Sequence, residues 1–154
     1  MAFSPDIFVK ERGWHRNLLV VGVEDEDDPT TLAKSAEEIK AYMAYHRCMS
    51  GLLVSPAHFR IYRNDLYPGT PESVREVADI PTPHIIGRLP AETRGPEFED
   101  FVQRWLEQLQ NNYLTRNISI PADVRDVVES EIVPSLYEGE IGASGSRWPW
   151  WTAS

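Results

Sequence analysis

Asn17-Leu18-Leu19-Val20-Val21-Gly22-Val23-Glu24 is a near-continuous apolar run closed by an acid. A run of that length and texture reads as a strand buried on both faces. Acids then follow without a break from Glu24 to Asp28, and Pro29 comes next. Pro suits the first position of a helix and Asp28 the N-cap before it. Leu32, Ala36, Ile39 and Met43 recur at spacings of four, three and four, the apolar stripe of a helix from about Pro29 to Arg47. Ser50-Gly51 is expected to close that helix, since Gly favours the position just past a helix end. Leu52-Leu53-Val54 reads as the next strand. After the turn Ser55-Pro56-Ala57-His58, Phe59 to Arg63 alternates apolar and polar residues as a half-buried strand, paired as a hairpin with its predecessor. Buried strand, helix and strand pair in succession place the chain in the α/β class.

Working outward, Phe3 to Val9 is expected to form a strand and Lys10-Glu11-Arg12-Gly13 a turn. Between Pro68 and Pro96 lie six of the twelve prolines, so this stretch reads as extended connection, interrupted by a short helix near Pro71 to Ala78 and a strand near His84 to Arg88. Pro96 opens an amphipathic helix in which Phe98, Phe101, Val102, Trp105, Leu106 and Leu109 fall at helical spacing and Asn111-Asn112 marks the end. Pro121 opens another, with Val124, Val127, Val128, Ile132 and Leu136 on its apolar face. Gly139 to Ser154 reads as a tail ending in Arg147-Trp148-Pro149-Trp150-Trp151.

The composition bounds the function. With 154 residues, 42% hydrophobic and 25% charged, the chain has the make-up of one globular domain able to bury its own core. No apolar run approaches the roughly 18 residues a membrane-spanning helix needs. One cysteine, Cys48, excludes an intramolecular disulfide and a multi-cysteine zinc site. With no signal-peptide core near Met1 to Arg16, a cytoplasmic location is expected. The net charge is −9 and the excess acid lies mainly beyond residue 70, which excludes a generally basic surface for nucleic acid. One local exception exists. From Ile39 to Asn64 there is no acid, while Lys40, Arg47, Arg60 and Arg63 stand among His46, His58, Tyr42, Tyr45, Phe59 and Tyr62. Such a patch suits local contact with DNA phosphates, or else is an ordinary solvated face or a surface that meets the acidic C-terminal part. The four histidines show neither metal-ligand spacing nor a triad motif, and Cys48 reads as a buried structural thiol. Trp148, Trp150 and Trp151 would expose a large apolar area in water and are expected to dock on the chain's own core, on a second copy or on a protein partner.

Over residues 4–63 this order of elements resembles the PD-(D/E)XK superfamily of nucleases. Ser4-Pro5-Asp6-Ile7-Phe8-Val9 is similar to the family's Pro-Asp strand, and Leu18 to Glu24 to its second strand. Gly22 stands where the family's acid belongs and Glu24 where its lysine belongs. Glu38 and Tyr42 take the Gln and Tyr places on the helix, and Gly51 to Val54 with Phe59 to Arg63 resemble the strand pair that follows. The resemblance implies a restriction-endonuclease-like mixed sheet flanked by helices, with a nuclease-like core over 1–67. Residues 68–138 would then be a Pro-rich connection and a helical C-terminal part packed on that core, and 139–154 a Trp-rich tail. It also implies Mg2+ or Mn2+ held by Asp6, Glu24 and Glu26, with Lys34 or Lys40 on the helix supplying the missing cation. In such enzymes the ions activate water and the lysine offsets charge developing on the phosphate. Alternatively, Asp25 to Asp28 are helix-start acids facing the helix dipole. Losing an acid and reversing the lysine's charge points to a divergent, catalytically impaired domain in nucleic-acid recognition or protein assembly. The alternatives are an active metal-dependent endo- or exonuclease built on Asp6, Glu24, Lys34 and Lys40, and an interaction protein with no nucleic-acid role.

Overall fold

A computed structural model describes residues 5–13, 16–89, 93, 95–112 and 120–143. Strand β1 spans Ile7–Glu11, β2 Asn17–Val23, β3 Ser50–Val54, β4 His58–Asn64, β5 Val74–Pro81 and β6 Gly139–Ala143. The helices are α1 (Pro29–His46), α2 (Thr82–Ile86), α3 (Gly95–Asn112), α4 (Arg125–Glu131) and α5 (Val133–Glu138). The strands form one mixed sheet in the order β5-β4-β3-β2-β1-β6, flanked by helices. Among the described strands only β2 and β3 run parallel, Leu19 opposite Ser50 through Val23 opposite Val54; every other neighbouring pair of them is antiparallel. A parallel pair needs a crossover, and α1 is that crossover.

Strand alternation assigns the two faces. Ile7, Val9, Leu19, Val21, Val23, Leu52, Val54, Phe59 and Ile61 point to a core completed by Phe98, Val102, Leu106 and Leu109 of α3, Val128 of α4 and Leu136 of α5. Trp105 meets Phe59 edge-on, with ring centroids 5.5 Å apart. Val20, Leu53 and Tyr62 point the other way, onto Leu32, Ala36, Ile39 and Met43 of α1. Three layers result, with β2 and β3 apolar on both sides because both sides are covered. No described helix is long and apolar enough to cross a membrane.

Helix α1 starts as its sequence requires. Asp28 is the N-cap, its Oδ2 accepting from the Thr31 amide at 3.0 Å, and Pro29 follows. It ends earlier than the Ser50-Gly51 stop expected, on Arg47 in the left-handed region at φ 53°. Ser50 and Gly51 open β3 instead. Gly51 is needed there for close approach: a Cβ would stand 2.5 Å from Met43 Sδ on the covering helix.

Four other expectations are corrected. Among the described residues the first strand starts at Ile7 and runs through Lys10 and Glu11, so of the four residues expected to turn Arg12 and Gly13 do, with Gly13 at φ 79°; Phe3 and Ser4 lie outside the described residues. Between Pro68 and Pro96 the helix expected from Pro71 is a single 3-10 turn, Pro71–Ser73; residues 74–81 are strand β5, and 82–86 are helix α2 where a strand was expected from His84. Pairing with the otherwise open edge of β4 decides this, over local propensity. The helix expected from Pro121 is two, meeting at Ile132, because Pro134 has no amide to continue the ladder. Residues 139–143, read as the start of a tail, form β6 along β1. Trp148, Trp150 and Trp151 lie outside the described residues.

Candidate active site

The β1–β2 hairpin brings Asp6 and Glu24 to one end of neighbouring strands. Asp6 donates its amide to Val21 O at 2.9 Å, and its Oδ2 accepts the Val23 amide at 2.7 Å. It is 4% exposed. Glu24 donates its amide to Val54 O at 2.9 Å, and its Oε1 accepts from Ser35 Oγ of α1 at 2.8 Å. Gly22 falls opposite Asp6 in the register and two residues before Glu24, and alternation places it with Val20 on the side of the sheet that α1 covers.

The remaining acids of the run divide their work. Asp27 reaches across to the β3–β4 turn, where its Oδ1 accepts from Ser55 Oγ at 2.5 Å and from the Ala57 amide at 3.0 Å. Asp28 caps α1, and the bonds from the Thr31 side chain and amide hold its carboxyl below the usual range. Glu26 is exposed. Lys34 pairs with Glu38 at 4.0 Å and Lys40 with Glu37 at 3.8 Å, both partners on α1 itself. Lys40 also lies 5.9 Å above the Tyr62 ring.

This donor set fits a divalent ion poorly. Gly22 brings no ligand, and the buried Asp6 oxygen is engaged by a backbone amide. Among the described residues no three His, Cys, Asp or Glu side chains gather where they could hold a metal ion.

The acid-free segment does not present a single basic face. Successive residues of β4 point to opposite sides. Arg60 lies on the α1 side of the sheet with Tyr62, its Nε 3.4 Å from Asp79 and 3.8 Å from Glu76 of β5. Arg63 lies on the other side, paired with Glu131 of α4. Arg47 is exposed at the end of α1. Burial and the Glu76 carboxylate push the Tyr62 phenol up to about 12. Burial likewise pushes the Cys48 thiol up to about 11, which favours the neutral thiol over the thiolate at neutral pH.

Two histidine–carboxylate pairs escaped the sequence reading. His58 Nδ1 stands 3.1 and 3.2 Å from the two oxygens of Asp79, and His84 Nε2 stands 2.9 Å from both oxygens of Asp123. Each partner lies 21 or more residues away, so only the β4–β5 register and the α2 packing could have revealed them. No family model, curated protein or solved structure matches the chain.

Proposed function

We propose that this chain is a divergent nuclease-like domain that has lost catalysis and serves as an assembly or recognition module. One observation carries the reading: a β1–β2 hairpin with Asp6 and Glu24 at one end runs into a crossover helix and a parallel strand, yet Asp6 is buried on the Val23 amide. The arrangement of acids resembles that of a metal-dependent phosphodiesterase, and the commitments of those acids are structural. Pairing of Lys40, Arg60 and Arg63 with carboxylates favours assembly over nucleic-acid recognition, since phosphate affinity comes from cations that release counterions.

The test is a cleavage assay on single- and double-stranded DNA with Mg2+ and with Mn2+, comparing the chain with its Asp6→Ala and Glu24→Ala variants. Background cleavage identical in all three supports the proposal. Metal-dependent cleavage lost in both variants overturns it in favour of an active nuclease using Asp6 and Glu24, with Lys34 or Lys40 as the cation.

A further inference from the structure

A cleft of about 280 Å³ opens between the sheet and the α4–α5 corner, at the end of β2 opposite Asp6 and Glu24. That volume lies just below the range of sites for drug-sized ligands, so a smaller molecule is indicated. Its walls carry both signs of charge. Arg16, ahead of β2, places Nε 3.0 Å from Glu11 and keeps a side chain 60% exposed. Arg63 gives Nη2 to Glu131, a carboxylate only 5% exposed, which fixes the guanidinium at the cleft wall. A guanidinium has five N–H donors, so both arginines keep donors beyond these pairs. Glu138 lines the same cleft, exposed and without an ion-pair partner among the described residues. Leu18, Met49 and Pro134 supply the apolar wall, and Met49 is 47% exposed.

A simple anion here would meet Glu138, and a simple cation would meet two guanidiniums. A small zwitterion satisfies both. We propose that the cleft binds a molecule of the α-amino acid class. Its carboxylate lies on the Arg63 and Arg16 forks, which match that planar geometry. Its ammonium faces Glu138, and its side chain rests on Leu18 and Met49. Glu131 is a positioning residue, holding Arg63 in place. Nothing in this assignment depends on the nuclease-like reading.

The experiment is an NMR titration of the 15N-labelled full chain with glycine, L-leucine, L-phenylalanine, L-glutamate and L-lysine. The best of the five is then compared with its N-acetyl and its amide derivatives. Saturable shifts at residues 16–18, 49–50 and 130–138 are expected, with each blocked derivative at least about tenfold weaker, the size of one charge-assisted hydrogen bond. Arg16→Ala and Glu138→Gln, both at exposed side chains, are each expected to weaken binding about tenfold while the spectrum stays that of the folded chain. The proposal is overturned if none of the five saturates, if the blocked derivatives bind equally well, or if both variants bind as the parent does.

Discussion

The two ends of the sheet handle their carboxylates differently. At the end holding Asp6 and Glu24, the acids accept from groups close at hand: Asp6 from the Val23 amide of the adjoining strand, Glu24 from a serine of the helix that follows it. At the opposite end Glu131 takes its partner from another layer, since Arg63 belongs to β4 and Glu131 to α4. The first arrangement ties the hairpin and crossover together and commits an oxygen of each acid to structure. The second bridges sheet and helices while leaving guanidinium donors along a cleft. A carboxylate in a conspicuous sequence context can therefore be scaffold, and one in an ordinary helix can organise a site.

The largest effect should come from cutting the cross-layer pair on its exposed side. Arg63→Ala leaves the Glu131 carboxylate, 5% exposed, without its cation. Breaking a buried pair in that direction costs about 3–5 kcal/mol, and the lower figure applies because Arg63 itself is 40% exposed. Glu131→Gln should cost about 1 kcal/mol, since the cation left behind reaches water and the amide still accepts a bond. Urea denaturation of the two variants measures the asymmetry. Equal losses would mean that Glu131 is not held by charge at all.

Next in size is the other end. Asp6→Ala removes the acceptor from a buried amide and is expected to cost about 2 kcal/mol, in the range for a hydrogen bond to a charged group. Asp6→Asn keeps an acceptor oxygen and should cost about half as much. A residue kept for metal chemistry alone would leave the melting temperature unchanged on either substitution, so the same pair of variants separates scaffold from catalyst by a route independent of cleavage.

The same contrast explains what could be read in advance. From β2 through β4 every signal is local: a two-sided apolar run, an Asp-Pro helix start, a four-three-four stripe and an alternating strand. There the elements match the reading, apart from the stop of α1. Strands β5 and β6 depend on distant partners. On β5 only Val74 and Ile80 are buried, and the intervening residues give little periodicity because the strand lies at the sheet's edge. In β6, Gly139 and Gly142 look like tail residues; a Cβ on the first would collide with Val9 and on the second with the Phe8 ring. The acids of the hairpin were visible, but their acceptance of backbone and serine donors was not. Arg60 and Arg63 belong to one acid-free run, yet three residues along a strand is an odd step and sends them to opposite faces. That parity was legible. So was a meeting with acids of the C-terminal part, but not which carboxylates of β5 and α4 they would be.

The smallest effect sharpens the comparison through pH. Asp28 accepts from both the side chain and the amide of Thr31, bonds that favour the ionised carboxylate and lower its pKa in the folded chain. A group whose folded pKa is depressed contributes stability at pH values above its unfolded pKa, and loses that contribution as pH falls through the folded value. Below about pH 4, then, part of the stability of the α1 start should disappear in the parent chain. Asp28→Asn keeps the cap, because Asn is as good an N-cap as Asp, but it has no proton to bind. Melting curves from pH 7 down to pH 3 should show the parent and the Asp28→Asn variant nearly equal at neutral pH. The parent should then fall more steeply below pH 4, with α1 amides next to the cap exchanging faster. Identical acid slopes would show that the Thr31 bonds do not distinguish the charged carboxylate from the neutral one, and that the cap is held by geometry rather than by charge.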